Sequence, residues 1–362
     1  MIFTLIIFIL ILAILVLAHE LGHFWIARRA GVRVDEFGFG FPPRIFKWQG
    51  KKTLYSINLI PIGGFVKIHG EQGEGKGDAD SFASKGAGRR ALILVAGVAM
   101  NFVLAMVLLG IGNMIGLPTS LEDANLFGGI VKSQKIQVIE VVKNSPAEEI
   151  GLKMGDEIKS LEALNEKKYP ANADEVSNFI MKNVEQGILL EVQRGKDILK
   201  LSFMPRPNPP EGEGPLGVLL TNTAIVSFSW WKAIYYGIKD TVNLTIFIVS
   251  ALGKIIYLAF IGQPVGEVLT GPVGIYNITS QAAGMGFIYI LNLTALLSIN
   301  LGLVNVLPFP ALDGGRLLFL AVEKIKGSPI NQKIENIIHT IGFAILIILM
   351  LFITWNDIAK IF

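Results

Sequence analysis

The sequence predicts a polytopic α-helical membrane protein with four transmembrane helices, a membrane-associated β-hairpin region between the first two, and an α/β domain inserted after the second. Three observations carry this. The 362 residues are 52% hydrophobic and only 17% charged, with a mean hydropathy of +0.55. The apolar residues gather in blocks of about 20, the length that crosses a bilayer. Between the blocks lie a stretch punctuated by glycine and proline and a long segment of ordinary soluble composition.

The first span, residues 1–27, opens with the charge-free run Ile2 to Ala18. No positive residue precedes it, and cleavage before His19 would part the motif that follows from its helix, so it is expected to be retained rather than removed as a signal peptide. The second, 91–116, has Asn101 and Asn113 as its strongly polar interruptions. The third, 287–315, lies within the 45-residue uncharged run Val268 to Leu312, and the fourth is 336–356. Residues 223–286 read as an amphipathic membrane-associated segment. Within it, Asn243 to Gly262 is apolar but carries Lys254 near its middle and follows the amphipathic Trp230 to Lys239 stretch; a true span is the alternative.

Charge orients the set. Twelve lysines and arginines against six acids lie between Arg28 and Arg90, and Arg316 to Lys333 adds four more. Both loops are therefore expected in the cytoplasm. Four crossings then put both termini and Leu117 to Gly286 outside it. A net charge of +3 by itself argues neither for nor against a nucleic-acid partner, and none is expected. With no cysteine, disulfides and thiolate metal sites are excluded.

Residues 28–90 do not read as helix. Gly38-Phe39-Gly40, Pro42-Pro43, the alternation Leu54 to Leu59 and Ile62 to Lys67 suggest short strands and hairpins, followed by a charged glycine-rich linker, Gly70 to Gly77. Such apolar strands fit either a sheet dipping toward a membrane-buried site or a satellite lobe. The inserted domain, 128–222, alternates as a strand over Ile136 to Val142, opens a short helix at Ser145-Pro146-Ala147, turns at Gly155-Asp156, and forms a helix over Asn172 to Asn183. Ile188 to Gln193 and Ile198 to Phe203 then flank Arg194 to Asp197 as a hairpin, and Pro205 to Pro215 closes it.

The chemistry is concentrated in His19-Glu20-Leu21-Gly22-His23. Histidines four apart share a helix face and can grip one metal ion, while the glutamate between them is placed to take a proton from a water that the metal activates. Packing of both histidines between helices is the bland alternative. Arg28 and Arg29 mark the membrane surface, so the pair lies about 7 to 14 Å deeper at the helical rise. A catalytic zinc takes three protein ligands and keeps one position open. His69 and His339 have no local carboxylate or ligand spacing, so Asp313 is the better third ligand. It ends the uncharged run, where an ionisable group needs a partner, and Pro308 and Pro310 break the helix just before it. A helix-ending aspartate facing water is the other reading.

These residues resemble the bacterial site-2 proteases, intramembrane zinc metalloproteases that include regulators of sigma factors, over nearly the whole chain. His-Glu-Leu-Gly-His is similar to the family's first motif, and Asn305 to Gly314 to its N-x-x-P-x-P-x-L-D-G pattern. The resemblance implies that His19, His23 and Asp313 hold Zn2+ and that Glu20 is the general base. Gly38, Phe39 and Gly40 resemble a membrane-reentrant loop that contacts substrate, with Asn300 and Asn305 as asparagines near the active site. Leu152 to Asp156 is similar to a PDZ-domain turn, and Leu216-Gly217-Val218 resembles the stretch beside its peptide groove; one such domain fits. Gly271-Pro272-Val273 also fits the family, with no chemistry attached.

The implied partners are transmembrane protein substrates, the lipid bilayer and an upstream protease acting on the same substrate. The implied location is the bacterial inner membrane, with the active site near the cytoplasmic side and the PDZ-like domain outside. Two rival classes remain open on sequence: a membrane-anchored zinc protease of non-transmembrane substrates, and a membrane-anchored PDZ adaptor without proteolytic activity. The depth of His19 argues against the first, and the intact ligand set against the second.

Overall fold

Apolar sequence alone dictates most of the helical framework, because a backbone in hydrocarbon must satisfy its own polar groups. The computed structural model describes every residue except 1, 72, 74, 76, 121–128, 165, 196, 211, 264–269, 329 and 360–362. Among the described residues five helices are long and apolar enough to cross a membrane. They are α1 (Ile2–Arg29), α2 (Ala87–Ile115), α5 (Trp230–Phe260), α7 (Phe287–Val306) and α9 (Gln332–Ala359). Shorter helices α6 (Pro272–Met285) and α8 (Asp313–Lys326) bracket α7.

Two differences from expectation have clear causes. The stretch 230–262, expected as an amphipathic piece followed by a separate candidate span, is one continuous helix, α5, because no proline interrupts it. The third span, expected to reach residue 315, stops at Val306; Pro308 and Pro310 cannot continue its hydrogen bonding, and Asp313 opens α8 instead.

Between α1 and α2, β1 (Val34–Gln49) and β2 (Leu54–Ile68) confirm the strand reading of this region. Both strands bend, so each contributes two arms. Phe37 faces Val66 on one side and Tyr55 on the other; Gly38 faces Phe65 and Ser56; Phe39 faces Gly64 and Ile57. The arm 44–49 then pairs outside 54–58. Ala27, Val34, Ile68, Phe82, Ile93 and Leu94 make the core that joins the sheet to α1 and α2.

The chain divides into two units, one of Met1–Leu109, Tyr236–Gln281 and Ile290–Phe362, the other of Gly110–Tyr235 with Ala282–Tyr289. The second holds the inserted domain. Its sheet contains β3 (Leu117–Ser120), β4 (Ile130–Val141), β5 (Glu157–Ala163), β6 (Glu166–Lys168), β7 (Ile188–Arg194), β8 (Asp197–Phe203) and β9 (Val218–Ser227). The order is β3-β9-β4-β5-β7-β8, with β6 on β5. The sheet therefore extends past the expected 128–222 at both ends, through β3 and the last residues of β9.

Local sequence explains the rest of this unit. Ser145 accepts from the Glu148 amide to start the short helix α3 (Pro146–Glu149), and Asn172 accepts from the Glu175 amide to start α4 (Ala173–Lys182). Val176, Phe179 and Ile180 on α4 meet Leu161, Ile188 and Leu190 in one core. Buried Asp156 accepts from Arg194 Nε and Nη2, each at 2.7 Å, and ties the turn before β5 to the hairpin β7–β8. The 282–289 segment packs on the same sheet, where Gln137 donates to the Tyr289 hydroxyl at 3.1 Å.

Candidate metal centre

The site begins with a helix crossing. A Cβ at Gly22 would stand 2.2 Å from the carbonyl oxygen of Ala96, so only glycine lets α1 and α2 approach this closely. His23 follows Gly22 directly and His19 stands three residues before it, both buried, their Nε2 atoms 3.1 Å apart. The Oδ2 of Asp313, the first residue of α8, lies 3.1 Å from His19 Nε2 and 3.2 Å from His23 Nε2. The structure thus brings together the three residues expected to bind metal, from two segments nearly 300 positions apart in the chain.

Three lone-pair atoms facing one another at this distance suit a cation. Ligands about 2.0 to 2.2 Å from a tetrahedral zinc stand roughly 3.3 to 3.5 Å apart, close to the separations here. The second nitrogen of each ring supports that use. His23 Nδ1 donates to the Ile93 carbonyl at 2.9 Å, which in the neutral ring leaves the Nε2 lone pair directed at the site. His19 Nδ1 lies 3.3 Å from the amide of fully buried Asn101. The atom placed there is Nδ2; turned end for end, the amide would accept the Nδ1 proton through Oδ1, which as placed has no partner among the described residues. Asn101 is the functional residue the sequence reading missed. It stood out there as a polar break in α2, but only its partner gives it a role. Ser298 Oγ on α7 donates to the Asn101 carbonyl at 2.8 Å and fixes its helix in turn.

Glu20 is half-buried beside the pair, on the side of α1 that meets the sheet, where its Cγ lies 3.5 Å from the Cβ position of Gly64. Gly38 is buried between Phe65 and Ser56, and Gly40 adopts φ +80° with a Cβ position 2.5 Å from the Ile60 carbonyl. Phe39 is half-buried between them. Since 38 and 39 are flanked on both sides, the backbone row left with one strand neighbour beside Glu20 is 64–66. Asn300 and Asn305 lie half-buried on α7, and their side chains make no hydrogen bond among the described residues; neither joins the metal cluster.

The alternative histidines are accounted for elsewhere. His69 has a carboxylate partner after all, nine residues on, where its Nε2 lies 2.8 Å from Asp78 and the bond raises the pKa of the ring. His339 Nδ1 accepts from the Ala311 amide at 2.8 Å. In the linker, Glu71 pairs with Arg316, one turn past Asp313. Arg90 at the start of α2 pairs with Glu323 at 2.6 Å.

Comparison with known proteins agrees with this geometry. Residues 7–349 match Peptidase family M50. The chain is 33% identical to the regulator of sigma-W protease RasP of Bacillus subtilis, with 99% of each chain covered. It is 33% identical to a putative zinc metalloprotease of Clostridium acetobutylicum, covering 98% of this chain and 97% of that one. It is also similar to the probable protease eep of Enterococcus faecalis, at 30% identity over 99% of each.

The floor of the cluster is Gly97, where a Cβ would stand 2.2 Å from His23 Nε2 and 2.8 Å from His19 Cε1. Gly97→Ala should therefore push the imidazoles apart and weaken zinc binding by about tenfold or more, read as metal content after dialysis against a chelator. Gly88→Ala, where the added methyl meets nothing within 4 Å, is the control. Full zinc retention in Gly97→Ala would mean that the two rings do not share an ion.

Proposed function

The chain belongs to peptidase family M50 and is an intramembrane zinc metalloprotease of the site-2 type; from that premise we propose how its residues divide the work. The carrying observation is the convergence of His19, His23 and Asp313 beside Glu20. His19, His23 and Asp313 would hold the ion, which would supply a water of lowered pKa and polarisation of a peptide carbonyl. Glu20 takes the proton from the attacking water and returns it to the departing amine. Asn101 and the Ile93 carbonyl keep each ring turned so that Nε2 faces the ion.

A substrate helix in a bilayer has its carbonyls tied up in its own hydrogen bonds and must unwind to be cut. The open row 64–66 beside Glu20 supplies backbone partners to the unwound segment, which adds as a strand. Gly38 and Phe39 pair with that row from behind, Gly40 sits against Asn58 and Ile60 at the bend, and Asn300 and Asn305 face the substrate from α7. The substrates are membrane proteins with a transmembrane segment, among them membrane-bound regulators of transcription such as anti-sigma factors, and signal-peptide remnants. An upstream protease trims them first.

The protein crosses the bacterial inner membrane four times, with α5 lying along the surface. The support is parity. The α2 helix carries the chain to Asn113, whose carbonyl accepts from Phe228 at 2.9 Å just before α5. Gly271 and Gly274 at the start of α6 donate to Asp357 Oδ2 at 2.9 and 2.8 Å, near the end of α9 remote from the cytoplasmic loop. Both ends of the 230–271 stretch then sit outside, and its one long helix cannot make a single crossing. Asp357 also gives Gly271-Pro272-Val273 a purpose, since a side chain at 271 or 274 would collide with that carboxylate. The PDZ-like domain, on the outer side, filters substrates.

Three outcomes follow. Glu20→Gln should abolish cleavage of a model transmembrane substrate with zinc still bound, whereas Asp313→Asn should lose zinc itself; full activity in the first removes Glu20 from the mechanism. Because the chain has no cysteine, single cysteines at Leu219 and Lys254 can be labelled cleanly with a membrane-impermeant reagent. Both should react from the same face of the membrane, and labelling of 254 only from the opposite face would restore the fifth crossing. Deleting residues 129–221 with a short linker should preserve cleavage of a trimmed substrate and admit one that keeps a folded ectodomain. A deleted enzyme that is zinc-loaded yet discriminates as before would leave the domain another task.

A further inference from the structure

Asp313 opens α8, and the turn that leads into it has an unusual backbone. Ala311, two residues before the ligand, has φ +78°, in the left-handed region that residues with a Cβ rarely adopt. Its amide donates to His339 Nδ1 on α9 at 2.8 Å. One turn further along α9, Gly342 lets the helix close on the same turn, since a Cβ there would lie 2.4 Å from Pro310 Cβ and 2.7 Å from its carbonyl oxygen. His339 is half-buried, its ring 5.3 Å from that of Phe319, and its Nε2 has no hydrogen-bond partner among the described residues.

We infer that His339 is a positioning residue for the metal centre: by accepting the Ala311 amide it holds the 310–312 backbone in the left-handed turn that aims Asp313 at His19 and His23. The inference rests on the reading of those three residues as the zinc ligands. Leu312 N–H to the Phe309 carbonyl at 3.2 Å closes a turn with Pro310 second and Ala311 third, the type II position that wants glycine, so an alanine there is strained and the His339 bond to its amide supports it from outside the turn. A side chain of the right shape without an acceptor at Nδ1 would leave that amide buried and unpaired, so the turn would relax and carry the carboxylate with it. Glycine at 311 adopts the same backbone without help, which makes the dependence on His339 removable.

The test uses the full-length protein in detergent, with zinc affinity from competition against a chromophoric chelator and the ligand field from the visible spectrum after cobalt substitution. His339→Leu should weaken zinc by about 10 to 100-fold and shift the cobalt bands. His339→Gln, which keeps a carbonyl acceptor, should stay near the parent in both. Adding Ala311→Gly to His339→Leu should recover most of the lost affinity and the parental spectrum. Unchanged affinity and spectrum in His339→Leu overturn the inference, and so does a loss that Ala311→Gly does not repair. Should His339→Leu fail to fold, His339→Ala alone and with Ala311→Gly carries the same comparison. Failure of the underlying reading looks different: Asp313→Asn would then bind zinc as tightly as the parent.

Discussion

Two imidazoles and a carboxylate aimed at one point inside an apolar bundle are the constraint on which the rest of the structure depends. An aspartate near the middle of a bilayer costs about 2.5 to 3.5 kcal/mol on insertion scales, and desolvated imidazoles add to that. A shared cation is the partner that offsets this. The three ligand atoms must then stay within about 3.2 Å of one another, and the packing around them serves that end. Gly22 and Gly97 thin the α1–α2 contact on the sides where the rings need room. The proline-broken end of α7 brings a carboxylate to the site from a segment that could not present it as straight helix. Glycines at 314 and 315 let α8 fold back against the turn, where a Cβ would lie 2.2 to 2.3 Å from the carbonyls of Val306, Leu307 and Phe309.

The sheet of residues 34–68 answers a second need of the same place. A membrane interior offers no water to a peptide whose helix has opened, and each unsatisfied backbone group there costs several kcal/mol. A strand with one free side is the cheapest replacement, because it supplies donors and acceptors at the spacing an extended chain requires. Exposed edges are usually a hazard that proteins cover. Here the row 64–66 is open where α1 brings Glu20 against it, so one free edge lies where pairing is useful.

Much of this was legible in the sequence, and the rest was hidden for particular reasons. The spans are readable because apolar length is a sufficient signal, and the inserted domain because its caps and turns are local: Ser145, Asn172 and the Arg194 to Asp197 hairpin all fall where expected. The pairing of His19 with His23 follows from helix periodicity, and the candidacy of Asp313 from the cost of a charge at the end of an apolar run. What sequence cannot convey is partnership at long range. Asn101 looked like a packing asparagine until His19 stood beside it, and His69 looked isolated because Asp78 reaches it only through a turn. The break at Val306 was visible in Pro308 and Pro310, yet its consequence, a new helix beginning at the ligand itself, needed the backbone.

Gly271-Pro272-Val273 carries the same lesson to the other end of the helical unit. A buried carboxylate at 357 that accepts two amides from the start of α6 satisfies donors that a helix N-terminus leaves orphaned, and it does so from α9, the helix that also supports the Asp313 turn through His339 and Gly342. One helix therefore fixes the entry of α6 with its last turns and the ligand turn with its first half. The Asp357 bonds and the Ala311 bond are about four to five helical turns apart along α9, roughly 27 Å at the helical rise. Both contacts fall on one continuous helix, so the start of α6 and the turn before Asp313 are held in register along it.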